Sequence, residues 1–181
     1  MQENDKNHDI VKYELIVKRM AERGVSLEEI ADITLNLQIK YLPELTLEIC
    51  LDHIRRVLMK REVQHAILTG IELDMLAEKG LLSEPLQTIL MKDYGLYGID
   101  EILALSIVNV YGTIGSTNFG YVDKLKPGVM QKLDNKDPQG KKCNTFFDDL
   151  VGAIAAAAAS SVAHKYAEKP YVIEAYQKGN K

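Results

Sequence analysis

The residues able to do chemistry in this chain are mostly acids, and they sit where acids are awkward. Asp148 and Asp149 stand directly before the small apolar run "LVGAIAAAAASSVA". Asp100 and Glu101 open "DEILALSIV", and Asp123 lies in "DKLKPG", three residues before Lys126. An isolated charge at the edge of an apolar core costs several kcal/mol or more. Helix starts attract carboxylates through capping and the macrodipole, and for one pair alone that is the ordinary explanation. Two pairs ahead of the two most apolar helices suggest instead that both converge on one pole of the core. Crowded carboxylates repel unless a cation neutralises them, and all-oxygen ligands suit Mg²⁺ or Mn²⁺. Neighbours on a helix project about 100° apart, so each pair divides its work. One member would meet the metal, while the other orients a water, binds a second ion or pairs with Lys. The candidate catalytic residues are Asp100, Glu101 and Asp149, and the candidate metal ligands are Glu101, Asp123, Asp148 and Asp149.

Opposite charge follows closely. The segment 124–142, "KLKPGVMQKLDNKDPQGKK", holds six Lys against two Asp. Lysine is a point-charge partner for phosphate, which makes Lys126 and Lys124 the candidate phosphate-binding residues. A solvated loop explains the same lysines without any ligand. Acids, a cation and lysines together are the equipment of phosphoryl chemistry. Other motifs carry less. "YGTIGSTNFG" looks like a phosphate cradle but lacks the Lys-Ser/Thr ending of a P-loop and follows no strand, so it reads as a tight turn between helices. His53 and His65 fall mid-helix without a paired ligand, and His164 falls near a helix C-terminus, which suggests helix-surface or dipole roles. No GxSxG or Cys-His arrangement points to a nucleophilic hydrolase.

The elements that must position these residues read as helices throughout. "DIVKYELIVKRMAERG" places Ile10, Tyr13, Val17 and Met20 at helical spacing, and Gly24 ends the run. Ser26 and Glu29 form a capping-box pattern before "IADITLNLQIKYL". Residues 44–80 predict one long helix or two broken near Lys60. Ser83 is the expected cap of the next helix, with Pro85 in its first turn. "IDEILALSIVNVYG" and "STNFGYVDKLKPG" predict two more, the latter ending near Pro127. Residues 128–144 read as a loop with at most one helical turn, a cover over the acids. A last amphipathic segment follows Pro170. Small residues from Gly152 to Ala159, with no charge between Asp149 and His164, place that helix at the centre of a bundle. The expected fold is all-α, a compact multi-helix bundle around the Ala-rich helix, one domain over 1–181 with 1–8 as a loose tail.

Composition narrows the function classes. The chain is 46% hydrophobic and 27% charged with a net charge of −4, so no overall basic field invites nucleic acid. Cys50 and Cys143 give neither a CxxC spacing nor a disulfide framework and suit a reducing cytosol. The N-terminus lacks the basic start and apolar stretch of a signal peptide. No window reaches about 18 uninterrupted apolar residues, and the Ala-rich run comes nearest. A cytoplasmic protein with at most peripheral contact at the inner membrane face is expected.

Three blocks then carry a resemblance. "GLYGIDEILALSI", "FGYVDKLKPGVMQKLD" and "FFDDLVGAIAAAAAS" resemble, in order, the Asp-Glu, Asp-x-x-Lys-Pro and Asp-Asp blocks of the phosphatidylglycerophosphatase A family. They cover about residues 95–165. The chain more closely resembles the soluble branch named for low temperature requirement protein C. That family's amino-terminal Pro-Gly-Thr-Met-Gly-Ser block has no counterpart near this N-terminus, so fold and metal site should carry over better than the lipid substrate. The resemblance implies a Mg²⁺-dependent phosphatase of a phospholipid precursor, and its substrate would be a phosphorylated lipid or small phosphomonoester. Two other readings stay open. An all-α nucleotide pyrophosphohydrolase would also use acids and Mg²⁺, although its ExxE pairs are not evident. A non-catalytic helical binding module would keep the acids as caps, and the amphipathic helices from Asp9 to Gly80 also suit a homo-oligomer interface.

Overall fold

The computed structural model describes residues 2–135 and 140–167, which are helical almost throughout and contain no strand among the described residues. Helix α1 (Gln2–Glu22) already takes in most of the residues expected as a tail, and it ends before Gly24, whose φ of +84° turns the chain. Helix α2 (Leu27–Gln38) begins with the full capping box of Ser26 and Glu29. The stretch 44–80 resolves into two helices, α3 (Leu47–Leu58) and α4 (Arg61–Glu78), with Lys60 extended between them.

Sequence and structure part at the next two starts. Helix α5 (Leu86–Lys92) starts after Pro85, and Ser83 does not cap it. The Glu84 carboxylate does the capping work instead, accepting from Thr88 N and Thr88 Oγ1. Helix α6 (Ile99–Val108) runs through a 3₁₀ turn (Asn109–Tyr111) into α7 (Gly112–Leu125). The "YGTIGSTNFG" stretch is therefore not a turn: only Gly112, at φ +72°, bends the chain, and the rest is helix. A short α8 (Val129–Asp134) supplies the helical turn expected in 128–144. Part of the expected cover loop and the segment after Pro170 lie outside the described residues.

Helix α9 (Phe147–Ala167) is the axis of the molecule and packs against α2, α3, α4, α6, α7 and α8. Every residue from Phe146 to Ser160 is buried. Small side chains permit this, because facing helices come close on all sides. Two glycines mark the tightest approaches. A Cβ on Gly70 of α4 would fall 2.6 Å from Leu150 Cδ1 and 3.0 Å from Phe146 Cβ, and one on Gly152 would fall 2.7 Å from Met130 Cε. Met130 ends in a flexible methyl that can yield, whereas Phe146 Cβ is tied to backbone. Gly70→Val is thus expected to lower stability by about 2 kcal/mol, as overpacking of a filled core does, read as a falling thermal midpoint.

His53 departs from the surface role expected of it. It is buried, with Nδ1 2.8 Å from Ser161 Oγ on α9, and burial lowers its pKa. His65 and His164 are exposed, the latter with Nε2 3.3 Å from the Tyr111 carbonyl. Both cysteines are free and buried.

Candidate active site

Four local devices bring the acids together. The first is the end of α7. Pro127 cannot continue the helix, and Lys126 takes a left-handed conformation at φ +45°. That conformation is unfavourable for a residue with a Cβ, by roughly 1 kcal/mol. Here it folds the side chain back toward Asp123, one turn earlier. The second device is the start of α9, which presents Asp148 and Asp149 on its first turn. The third is the loop 93–98, where Asp93, Leu96 and Gly98 all have positive φ and the chain wraps around the acids. The fourth is the first turn of α6, carrying Asp100 and Glu101.

Their product is an ion cluster centred on one ammonium. Lys126 Nζ donates to Asp123 Oδ1 at 2.6 Å, Asp148 Oδ2 at 2.8 Å and Asp149 Oδ1 at 3.2 Å. The cluster floors a cavity of about 380 Å³ that Asp93, Asp100, Glu101 and Asp134 also line. Of the residues singled out by sequence, Asp100, Glu101, Asp123, Lys126, Asp148 and Asp149 thus share one cavity. Lys124 does not line it; it is exposed on the outer side of the last turn of α7.

The electrostatics show an excess of negative charge. Burial works against the charge on Lys126, but the attraction of Asp148 and hydrogen bonds to Asp123 and Asp148 more than offset it, so its pKa rises. The carboxyls of Asp148 and Asp149 are nevertheless both pushed up. Burial is the main cause for each, and at Asp149 the neighbouring charge of Asp148 adds to it. Asp100 is raised as well, by burial and then by the charge of Asp93. One ammonium facing three carboxylates does not compensate them.

That imbalance tests whether the site suits a metal. Among the described residues no three acid, His or Cys side chains close around a metal position; their oxygens face Lys126 Nζ instead. The donor set nevertheless has the chemistry of a hard divalent cation. It is all carboxylate, half-buried or buried at Asp123, Asp148 and Asp149 and exposed at Glu101, and carries more negative charge than its resident cation matches. Asp123, Asp148 and Asp149 could hold such an ion, with Glu101 across the cavity.

Residues 16–164 match the family described as phosphatidylglycerophosphatase A. The chain belongs to that family. Within it, the chain is 58% identical over 147 residues to the uncharacterized protein YutG of Bacillus subtilis, covering 81% of this chain and 87% of that one. The low temperature requirement C protein of Listeria monocytogenes is similar in structure, with a TM-score of 0.83 and 57% identity over 87% of this chain and 98% of that one. A protein of unknown function from Bacillus stearothermophilus gives 0.81 and 60% over 84% and 94%. The all-α architecture and the family resemblance read from the sequence both stand.

Sequence reasoning missed residues that hold this family's acid blocks in place. Asp74 of α4 is fully buried beneath the start of α9, where it accepts from Phe147 N at 2.9 Å and from Phe146 N at 3.2 Å. Cys143 Sγ lies 3.4 Å from its Oδ1. Burial pushes the Asp74 carboxyl up to about 7, against the pull of these donors and of Arg23. A signal was available: Asp74 continues the Ile67, Ile71 stripe at i+7 and i+3, so its side chain faces the core. Arg23 locks the same loop, donating to the Cys143 carbonyl and to Asn144 Oδ1 at 3.0 Å and lying over the Phe147 ring at 5.3 Å. Asp93 carried no motif, and only the chain path beside Asp100 reveals it.

Proposed function

We propose that the chain is a Mg²⁺-dependent phosphomonoester hydrolase of the phosphatidylglycerophosphatase kind, acting on a phosphorylated lipid precursor. The observation that carries this reading is the convergence of three separated acid blocks on a single cavity, two of them sharing Lys126. Caps that served only their own helices would have no reason to share an ammonium.

In the proposed mechanism Asp123, Asp148 and Asp149, with Glu101, would hold the cation. When bound, Mg²⁺ would polarise the phosphoryl oxygens and acidify a coordinated water. Lys126 Nζ would turn from the carboxylates toward the phosphate and neutralise it as the substrate enters. Asp149 would orient the attacking water. Asp100 accepts from Glu101 N at 2.9 Å through Oδ1, and its raised pKa suits it to pass a proton to the departing alcohol oxygen. Loop 93–98 would exclude bulk water from this exchange.

The test is release of inorganic phosphate from phosphatidylglycerophosphate, with and without Mg²⁺. Release that depends on the metal supports the reading. Pyrophosphate release from a nucleotide panel would favour a pyrophosphohydrolase instead. Absence of Mg²⁺ binding by calorimetry, with or without phosphate, would leave a helical binding module.

The Lys126 arrangement yields a second expectation, readable without catalysis. Lys126→Met removes the cation from between three carboxylates. The metal-free variant is expected to lose about 3 kcal/mol of stability, the usual consequence of breaking a buried ion pair. Millimolar Mg²⁺ should restore most of that loss and raise the thermal midpoint more than it does in the parent. A variant as stable as the parent and indifferent to Mg²⁺ would remove Lys126 from the charge balance of the site.

A further inference from the structure

From Ile102 to Val122 the chain carries no Asp, Glu, Lys or Arg. In a helix pair enclosed by protein that would need no comment, but α6 and α7 are not enclosed. The stretch Ile99–Leu125 is long and apolar enough to cross a membrane by length and composition, yet only 28% of its most apolar part is buried. It, rather than the Ala-rich helix, is the more membrane-like part of the molecule, because α9 is used up inside the core. Both helices rest on α9 and touch each other, so their other faces look outward together. Those faces expose Ile99, Ile102, Ile114, Tyr121 and Leu125, and Leu96 stands exposed in the loop just before α6.

We infer that this α6–α7 face docks on an anionic bilayer surface and so brings the acid cavity to substrate presented by the membrane. The inference rests on reading the cavity as a phospholipid-monoester site. Two observations favour a bilayer over a second copy of the chain. Leu96 lines the cavity with Asp93 and Asp100 while standing fully out in solvent, and Ile99 adjoins Asp100. A protein partner seated on that edge would cover the cavity mouth, whereas a bilayer there would supply the headgroup. The margin also has the composition of a membrane–water boundary, exposed tyrosines with cations beside them. Lys92 Nζ lies 5.8 Å from the Tyr94 ring centroid, Lys40 Nζ lies 4.7 Å from that of Tyr41, and Lys40 also senses Tyr121. Lys124 stands exposed beside Leu125. These lysines complement anionic headgroups on the outer margin, while the exposed acids Asp93 and Glu101 on the cavity side require Mg²⁺ between them and the membrane, so the vesicles carry Mg²⁺.

The experiment is flotation with vesicles of phosphatidylcholine alone and of phosphatidylcholine with one part in three phosphatidylglycerol. The parent should rise with the anionic vesicles and much less with the neutral ones. Ile102→Glu combined with Ile114→Glu should reduce the floated fraction at least tenfold and leave unchanged the hydrolysis of a short-chain, monomeric substrate analogue. Asp149→Asn should float like the parent. Should the charged pair melt early, Ile102→Ser with Ile114→Ser provides the same comparison. A parent that stays at the bottom of the gradient overturns the inference, and so does a face variant that floats as well as the parent. A parent that stays at the bottom but is a dimer in light scattering, becoming monomeric in the face variant, assigns the face to a second copy. Flotation without hydrolysis of the short-chain analogue would support the docking face and overturn the phosphatase reading, so the two failures are distinct.

Discussion

An Asp149→Asn variant is expected to fold at least as well as the parent while releasing phosphate at least about a hundredfold more slowly, the scale of loss when a group that stabilises the transition state is removed. The pairing of these results matters more than either alone. Asp149 is almost wholly buried, and its carboxyl is pushed up by burial and by Asp148. It therefore disfavours the folded state when ionised. Asparagine keeps the shape and removes the charge, so the thermal midpoint should hold or rise. A residue whose removal helps the fold and stops the reaction is maintained for the reaction, since active sites hold charge that stability alone would discard. A helix cap gives the opposite pattern, with stability falling and activity following it. Measuring the midpoint without metal and phosphate release in saturating Mg²⁺ separates the two. Full activity in the variant would remove Asp149 from the mechanism.

How far the sequence led can be judged element by element. The Ala-rich helix was legible because its composition leaves a single placement: fourteen consecutive residues without charge, mostly small, fit the centre of a bundle and little else. Convergence of the acid blocks was legible from the energetics of unpaired charge beside apolar helices. The start of α5 was not, because Ser83 and Glu84 are both competent caps and local pattern does not rank them. Nor was the helical character of "YGTIGSTNFG", where glycines that punctuate most sequences are carried by packing. Gly115 is buried, and a Cβ there would fall 2.9 Å from the Val108 carbonyl oxygen. The exposed α6–α7 face escaped for a related reason. An apolar sequence says that a helix avoids water or meets another surface, and only the packing tells which residues are left outside.

Asp74 supplies the last expectation, because the site depends on a residue that never touches it. Its carboxylate is the acceptor for Phe146 N and Phe147 N, the donors that begin α9 one turn before Asp149. Asp74→Ala leaves both donors buried without a partner and should cost about 2–4 kcal/mol. Phosphate release should fall on the order of tenfold with it, as the acids lose their fixed position. Asp74→Asn is different. Its amide oxygen can take the place of Oδ2, which accepts from Phe147 N at 2.9 Å and from Phe146 N at 3.3 Å, and its amide nitrogen would face Cys143 Sγ. The comparison with the parent then turns on pH. The folded carboxyl is pushed up to about 7, against about 4 in an unfolded chain. A pKa raised in the folded state contributes stability that is fully present below the unfolded value and lost as pH rises through the folded one. Between pH 5 and pH 8 the parent should therefore lose about 2 kcal/mol relative to Asp74→Asn, read as a difference between their denaturation midpoints. Because Asp148 and Asp149 are common to both proteins, their titration cancels in that difference. Parallel curves would show that the backbone donors hold Asp74 ionised at all these pH values. The carboxylate would then act as a fixed negative charge at the N-terminus of α9, directly beneath the candidate metal ligands.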